Sequence, residues 1–472
     1  MLFRLLTTLL LPLPLTWGGG NIYKLYQNYI LAKKIGVPIV VLPLSPQNPI
    51  WMLLADIIVP LFQKSSITRS WPLIRFGRRA WEFKDKAQIH LEIGDVFIMV
   101  TPDENVLYIC DADTLNEVLL RRNKFKRPRE VLEMLNVFGP NISTVADEDW
   151  PRHKKATGPP FSNEQTNRLG VLALWTTAED AKTFSLNILS SAGFGKSYPF
   201  RPLPDPENDP NHSMSYNESL SLIVGNAIPI LIIGPNFLLK WRRHLPKSLQ
   251  EIAQATVEFQ AYMKEMVQEE RKLIATGKQS KPNLMTSLIR ASHSNSDIKS
   301  DATYPGKTLR LYHPLVTFTR STGNLPKTIT YASKQLHLPP NTMILPNLLG
   351  VPSHPRYWGS DRLLWRPSRW IISFSNQNDE STEELWKPPK GSYKPWSEGP
   401  QGCPDKKFGQ VEFVAAMAGL FHRTRVEIVK EAGENQEEAE KRVKALVDDS
   451  AMVLLLQMMK PERAGLRWVR KR

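Results

Sequence analysis

The stretch WSEGPQGCPDKKFGQVEF, from Trp396 to Phe413, holds Cys403, one of only 2 cysteines in 472 residues. Glycines and prolines surround this cysteine and predict a tight, rigid loop whose backbone can approach a flat partner closely. Helical apolar spacing follows from Lys406 to Leu420, so the cysteine precedes a helix N-terminus. Peptide dipoles and N–H groups stabilise a thiolate at that position. These residues alone leave open a metal-binding or reactive thiol and a structural one.

Composition restricts what this thiol can serve. With 42% hydrophobic and 23% charged residues, the chain is globular and can bury a large core. The second cysteine, Cys110, permits at most one disulfide, which excludes a disulfide scaffold and a four-cysteine zinc site. A formal net charge of +15 suits an anionic membrane surface. The Lys and Arg are scattered and no nucleic-acid recognition module accompanies them, so we expect no nucleic-acid partner.

The N-terminal region is apolar and favours a membrane. The run from Leu5 to Trp17 is shorter than the roughly 20 residues that span a bilayer, and two prolines interrupt it. Two further apolar patches, 39–44 and 49–62, follow it, with aromatic and basic residues between them that suit an interface. We interpret residues 1–62 as a membrane anchor or re-entrant region. A cleaved secretory signal is the alternative.

Beyond residue 63 the patterns are mixed. Residues 93–110 read as a β-hairpin, with Cys110 as a small buried residue at its end. Asp111 caps a helix, and residues 219–291 are helical in character, with one helix ending near Gly277. A polar stretch without periodicity, 293–306, reads as a loop. The sequence therefore predicts a mainly α fold with small β-sheets, of the α+β class.

The quoted stretch resembles the haem-binding loop of the cytochromes P450, whose pattern is Phe-x-x-Gly-x-Arg-x-Cys-x-Gly. Fungal microsomal members often begin it with Trp, as here with Trp396. The resemblance implies that Cys403 is the axial thiolate ligand of the iron of haem b and that Gly399 shapes the loop. Gln401 stands where the family has a propionate-binding arginine, and Asp405 stands where it has glycine.

Other segments resemble the family in order and spacing, over most of the chain from about residue 20. The stretch DWPRHKKATGPPFSNEQ resembles the Trp-x-x-x-Arg helix. This implies that Trp150 and Lys154 contact a haem propionate. Residues 337–370 resemble the segment that ends in Pro-x-Arg-Phe/Trp, which makes Arg369 a structural residue.

The family's Glu-x-x-Arg motif reads Lys307-x-x-Arg310 here. In the family, this glutamate bridges its own arginine and the arginine of Pro-x-Arg, which implies a structural role for Arg310 beside Arg369. With Lys307 in its place, we expect three cations to converge without a carboxylate. An unpaired buried charge costs about 3 to 5 kcal/mol, so the network is expected to rearrange or fail.

The family's central distal helix is missing from the sequence. It would lie between LMTSLIRAS and KTLRLYHPL, where only the polar loop 293–306 stands. No acid-threonine pair occurs in such a setting, so no catalytic residue is identified. We therefore expect residues 63–472 to form an incomplete P450-like haem domain with a gap near 293–306.

The resemblance implies a membrane-associated monooxygenase that inserts one oxygen atom of O2 into an apolar small molecule. Its electrons would come from NADPH through a reductase partner, and it would lie on the endoplasmic reticulum facing the cytosol. The alternative is a catalytically inactive P450-like membrane protein, degenerate or translated from a mis-spliced gene.

Overall fold

The computed structural model divides the chain into two compact units. The first combines residues 1–128 with 306–402, and the second combines 129–305 with 403–472. Each unit is thus assembled from two pieces that are distant in sequence. The residues that the structure describes are 12–128, 132, 136, 141–145, 148–157, 212–276, 306–373, 383–399, 401–403, 405–452 and 455–471.

Helices and short strands alternate along the described residues. In chain order, the α-helices are α1 Pro12–Lys33, α2 Pro49–Gln63, α3 Pro72–Phe76, α4 Trp81–Asp85, α5 Gln88–Ile93, α6 Ala112–Leu120, α7 Trp150–Thr157, α8 Tyr216–Gly225, α9 Ala227–Ile233, α10 Pro235–Lys240, α11 Lys247–Ala275, α12 Gly306–Leu311, α13 Pro355–Trp358, α14 Lys406–Arg423 and α15 Gln436–Asp448. The strands are β1 Ile39–Val41, β2 Val96–Val100, β3 Asn105–Ile109, β4 Arg320–Ser321, β5 Lys327–Tyr331, β6 Lys334–Leu338, β7 Met343–Pro346, β8 Ile371–Ser373, β9 Glu383–Leu385, β10 Thr424–Ile428, β11 Ser450–Met452, β12 Leu456–Met458 and β13 Leu466–Arg470. The predicted mainly α class with small sheets is confirmed.

The first unit is organised by a five-stranded sheet of order β1-β2-β3-β7-β4. Its centre is the predicted hairpin, in which Val96 lies opposite Ile109 and the two strands run antiparallel. β7, from more than 200 residues later, adds parallel to β3. Cys110 follows β3 and is fully buried, as predicted.

Both faces of this sheet are covered, which is why the hairpin residues are nearly all apolar. Ile98, Leu107 and Ile109 pack on one face against the buried side of α6. Phe97 and Tyr108 pack on the other face with aromatic residues of α3 and α4. Helix α6 begins as predicted, because the Asp111 side chain accepts a hydrogen bond from the Thr114 N–H.

The apolar patch 39–44 contains a strand and the patch 49–62 is helical. No helix of the described residues is long and apolar enough to cross a membrane. β1, from the first apolar patch, pairs parallel with β2. α2, from the second, buries Trp51, Ala55 and Val59 against Ile74. The membrane region 1–62 and its boundary stay predictions, although β1 is an integral strand of the sheet.

The second unit has α11 as its longest described helix. It ends at Ala275, close to the predicted end near Gly277. α8 packs along it, with the ring of Tyr216 stacked on that of Phe259 at 5.6 Å between centroids. β10 and β13 form an antiparallel pair after α14. The predicted loop and the missing distal helix fall on residues 277–305, which lie outside the described residues.

Glu82 on α4 gives the first unit a pH-dependent stability. It is buried, and burial raises the pKa of its carboxyl from 4.5 to about 7, against hydrogen bonds from its backbone and from Tyr108. The folded state holds this proton more tightly than the unfolded chain does, so protonation of Glu82 stabilises the fold. This contribution to the free energy of unfolding is full below pH 4.5 and is lost as pH rises towards 7.

We expect Glu82→Gln to remove this dependence. The variant should gain on the order of 3 kcal/mol of unfolding free energy relative to wild type at pH 8 and almost nothing at pH 4. Urea denaturation at the two pH values measures the difference. An equal gain at both pH values would contradict the assignment.

Candidate functional site

The loop that carries Cys403 is a succession of tight turns. The Ser397 N–H donates to the Lys394 carbonyl at 3.1 Å, and the Gly402 N–H donates to the Gly399 carbonyl at 3.0 Å. Cys403 comes next, and α14 begins three residues later with Asp405 as its N-cap residue. The predicted tight loop before a helix is therefore confirmed.

Gly399 is the position in this loop that requires glycine. Its φ is +75°, and a Cβ there would lie 3.3 Å from the Leu119 carbonyl oxygen. A side chain in this left-handed backbone conformation would cost roughly 1–2 kcal/mol. Its Cβ would also contact the backbone of α6. Gly323 offers a matched control, because its φ is +63° with open space around it.

We expect Gly399→Ala to destabilise the first unit by more than Gly323→Ala. The control should lose roughly 1 kcal/mol from backbone conformation alone, and Gly399→Ala about 2 kcal/mol or more. Chemical denaturation of the two variants compares them. Equal losses would mean that the contact with Leu119 is relieved without cost.

The thiol of Cys403 is accessible, but its surroundings disfavour the thiolate form. The residue is exposed and forms no disulfide. Protein packed around the sulfur raises the pKa of the thiol, and so does the Asp405 carboxylate, whereas a hydrogen bond from the Asp405 backbone N–H lowers it. The Asp405 N–H thus acts in the direction expected at a helix N-terminus, but desolvation outweighs it and the net shift of the thiol pKa is upward.

Asp405, which stands at the position of the family's glycine, has its carboxyl group in an environment that disfavours a charge. Its Oδ1 atom is buried and accepts no hydrogen bond from the described residues. Burial raises the pKa of this carboxyl to about 6. The side chain therefore adds an incompletely solvated carboxyl group two residues from the thiol.

Gln401, which replaces the propionate-binding arginine, is held in the first unit. It is buried, with 5% of its surface exposed. Its carbonyl accepts a hydrogen bond from the Arg127 guanidinium at 3.4 Å. Arg127 carries no motif, and sequence reasoning missed it. Trp396 lies in the same unit, five residues before Gln401. Its predicted role in haem binding stays a prediction.

The structure brings Trp150 and Lys154 together on α7, in the second unit. Trp150 is buried, with 4% of its surface exposed, rather than partly exposed as an isolated aromatic residue would be. The exposed Lys154 places its ammonium nitrogen 5.0 Å from the Trp150 ring centroid. Their predicted contact with a propionate stays a prediction.

The two described cations of the predicted cluster, Arg310 and Arg369, have a carboxylate beside them, which Asp361 supplies. The Arg369 guanidinium donates to Asp361 Oδ1 at 2.9 Å and to the Asp361 carbonyl at 2.9 Å. This pairing lowers the pKa of the Asp361 carboxyl. The network has rearranged, and the expectation that it contains no carboxylate is wrong. The side chain of Lys307 lies outside the described residues.

Arg310 is held mainly by backbone carbonyls. It is 2% exposed and donates to the carbonyls of Pro352, Arg362 and Leu364 at 2.8, 2.6 and 3.2 Å. Burial and the charge of Arg369 lower the pKa of its guanidinium to about 10, with Asp361 acting in the opposite sense. Its structural role is thus filled without the family's glutamate.

Aromatic rings surround this network. The guanidinium of Arg310 lies 4.8 Å from the ring centroid of Trp358. Trp358 in turn contacts Trp370, the last residue of the Pro-x-Arg-Trp motif, with 5.6 Å between ring centroids. Tyr393 completes the cluster 5.3 Å from Trp370. The motif is therefore a packing and ion-pair unit.

The described residues include a suitable ligand for the iron of a haem. Cys403 presents an exposed sulfur after a tight loop, and sulfur is the donor that a haem-thiolate iron requires. Lys154 is exposed, and its ammonium carries the charge that an anionic propionate would attract. The buried Gln401 and the partnerless Oδ1 of Asp405 are less suited than the arginine and glycine they replace. Cys403 therefore suits the haem iron, whereas the other residues named suit the rest of the haem only in part.

Comparison with known proteins gives a consistent set of relatives, all named cytochrome P450 monooxygenases. The chain is 22% identical to one from Arthrobotrys oligospora, over 94% of this chain and 95% of the relative. It is 32% identical to one from Penicillium roqueforti, over 55% of this chain and 49% of that relative. It is 23% identical to the phomenoic acid biosynthesis cluster cytochrome P450 monooxygenase of Leptosphaeria maculans, over 90% of this chain and 92% of the relative. No family model matches the chain.

The alignment lengths show that residues are missing relative to these proteins. The comparison with the Arthrobotrys protein runs over 572 positions, which is 100 more than the 472 residues of the chain. At least 100 positions of that relative therefore have no counterpart here. This number of unmatched positions is compatible with the missing central helix, whose predicted place near 293–306 stays a prediction.

Proposed function

Because the chain is a sequence relative of the cytochrome P450 family, we propose that it is a haem-thiolate monooxygenase whose iron ligand is Cys403. The observation that carries the proposal is an exposed cysteine at the end of a tight loop before α14, in a chain whose relatives are cytochrome P450 monooxygenases. When bound, haem would supply the iron at which O2 is activated.

The chain's own residues would hold this group in three ways. The Cys403 sulfur would bind the iron, with the Asp405 N–H hydrogen-bonded to that sulfur. The Lys154 ammonium, kept near Trp150, would pair with a propionate. Gly399 would keep the loop tight enough for close approach, and the pairs made by Arg310 and Arg369 would keep the supporting segment rigid.

We propose a membrane-associated setting for this reaction. NADPH would deliver two electrons through a reductase, and the substrate would be an apolar small molecule. The net charge of +15 and the apolar N-terminal region support attachment to the cytosolic face of the endoplasmic reticulum. Which substrate is bound depends on segments outside the described residues.

Haem content is the direct test of this proposal. Full-length protein purified from membranes should hold about one haem per chain by pyridine haemochrome assay. Lys154→Met should release haem roughly tenfold faster than wild type, since a charge-assisted hydrogen bond contributes about 1.5–3 kcal/mol. Lys247→Met, which removes a charge from an exposed position of α11, is the control. A folded chain without haem would refute the proposal.

A second candidate is a non-enzymatic P450-like membrane protein. The observation that favours it is that no long apolar stretch of the sequence carries an acid-threonine pair, together with the unmatched positions of the Arthrobotrys relative. Sequencing of transcripts across codons 290 to 307 distinguishes the two possible origins of the gap. Transcripts that encode a distal helix there would identify the chain as a shortened gene product, and transcripts that match the chain would identify a true deletion.

A further inference from the structure

His212, in the second unit, lies between two carboxylates of α11. Its Nδ1 atom is 2.9 Å from Glu258 Oε2, and its Nε2 atom is 3.1 Å from Glu265 Oε2. The imidazole also stacks on the ring of Tyr262, with 3.7 Å between centroids. Its side chain is 2% exposed. Both ring nitrogens therefore face acidic groups at a position that water barely reaches.

The hydrogen-bonding capacity of these groups determines how many protons the ring carries. Glu265 has 53% of its side chain exposed, so water solvates its charge. Desolvation raises the pKa of Glu258, but hydrogen bonds from Ser213 and His212 outweigh it, and the net shift of that pKa is downward. Both glutamates are thus ionised near neutral pH, and an ionised carboxylate only accepts hydrogen bonds. Both nitrogens of His212 must donate, which makes the ring an imidazolium.

This imidazolium stands at the start of the segment that leads into α8. We call residues 212–216 the α8 lead-in. The Ser213 hydroxyl donates to Glu258 Oε1 at 2.6 Å, and the Tyr262 hydroxyl donates to the Met214 carbonyl at 3.0 Å. The lead-in is thus attached to α11 by several polar contacts that share one carboxylate and one aromatic ring with the imidazolium. Loss of the imidazolium charge would weaken this attachment.

The other titratable or charged groups around the ring, among the described residues, lie on α11, on α8 and just before α11. The ring of Tyr216 on α8 is 5.9 Å from that of Tyr262. Arg242, before α11, reaches the cluster through Gln254, which accepts from its guanidinium at 2.8 Å and donates to Glu258 Oε1 at 2.6 Å. Phenol and guanidinium groups change charge from about pH 10 upward. Of these groups, the imidazole is the one that changes charge between about pH 6 and 9.

We propose that His212 is a pH-sensitive link, which holds the α8 lead-in on α11 while the ring is an imidazolium and releases it when the ring loses a proton. After deprotonation, one ring nitrogen carries a lone pair that faces a carboxylate oxygen and repels it. The link is complete below about pH 6.5, where an isolated histidine is also protonated, and is lost at the higher pH at which the folded protein releases this proton. This inference does not depend on haem binding.

Nitrogen-15 NMR of the histidine side chains measures the protonation state directly. Full-length protein is labelled with 15N-histidine, and the His212 signals among the 9 histidines are assigned as those absent from His212→Gln. We expect both ring nitrogens of His212 to be protonated at pH 7.5, where an isolated histidine is mostly neutral. His244, which is exposed and forms no ion pair with the described residues, should be mostly neutral there. A neutral His212 at pH 7.5 would overturn the proposal.

Hydrogen-deuterium exchange measures the release of the lead-in. Protection factors, corrected for the intrinsic pH dependence of exchange, are compared at pH 6 and pH 9 over residues 213–225. We expect protection in wild type to fall roughly tenfold or more between these pH values, as the loss of a charge-assisted hydrogen bond predicts. His212→Gln should lack this fall. An equal fall in that variant would count against the link.

Glu265→Gln keeps the inference testable if His212→Gln does not fold, because Glu265 is half exposed. The amide still offers an oxygen to the ring but removes the negative charge. His212 should therefore lose its proton at a lower pH than in wild type, and the fall in protection should move with it. Glu251→Gln is the matched control, since Glu251 is exposed on α11 and forms no ion pair with the described residues. It should change neither measurement. A His212 that titrates in Glu265→Gln as in wild type would refute the role of the second carboxylate.

Discussion

Replacing Cys403 with alanine should abolish the red-shifted Soret band that carbon monoxide gives with the dithionite-reduced protein. The shift arises from a thiolate donating electron density to the iron. Cys403 is the exposed cysteine of the chain, whereas Cys110 is buried behind β3. Without the Cys403 sulfur, the chain has no accessible thiolate to offer.

Cys110→Ala is the matched control for this spectrum. The variant removes a sulfur from the core of the first unit, so it should lose some stability but keep the red-shifted band at wild-type intensity per mole of haem. If wild type and Cys403→Ala give the same band, the iron ligand lies elsewhere. If neither gives a band although the protein is present and folded, the loop around Cys403 binds no haem.

The second large effect is expected at Arg310. Its guanidinium serves three backbone carbonyls and stacks on Trp358. Arg310→Met keeps much of the side-chain volume but leaves these carbonyls without their donors. We expect a loss of about 2 to 3 kcal/mol in the free energy of unfolding, because an unsatisfied buried polar group such as the Pro352 carbonyl costs about 1–3 kcal/mol and the two partly buried carbonyls cost less.

Arg366→Met provides the comparison in the same segment. Arg366 pairs with Asp361 at 2.7 Å, but its side chain is 56% exposed, and exposed ion pairs contribute about 0–1 kcal/mol. Urea denaturation of both variants should therefore give a clear difference. Similar losses would show that Arg310 contributes charge to the cluster rather than donors to the carbonyls.

The local features of the chain were predictable from sequence, because short-range pattern determines them. The hairpin 93–110 follows from apolar strands on either side of Pro102 and Asp103. The cap at Asp111 and the tight loop before α14 follow from residue types at fixed offsets. The family resemblance added the proposed iron ligand, and the curated relatives support the same family.

The interactions that sequence did not predict join residues through tertiary packing. Asp361 pairs with Arg369, but an aspartate eight residues before an arginine has no helical or strand periodicity that would indicate a pair. The raised pKa of the Cys403 thiol depends on how much protein surrounds the sulfur, which the helix-terminus argument does not include. Likewise, no motif marks Arg127 as the donor to the Gln401 carbonyl.

The parallel pairing of β3 with β7 has a consequence for synthesis of the chain. At roughly 5–20 residues per second, a ribosome needs on the order of 10 to 50 seconds to proceed from the end of β3 to the start of β7. During that interval β3 has an unpaired strand edge, the edge to which β7 later adds. The central sheet of the first unit therefore stays open at one edge while most of the second unit is translated, and an open edge of this kind is a site where another chain can pair.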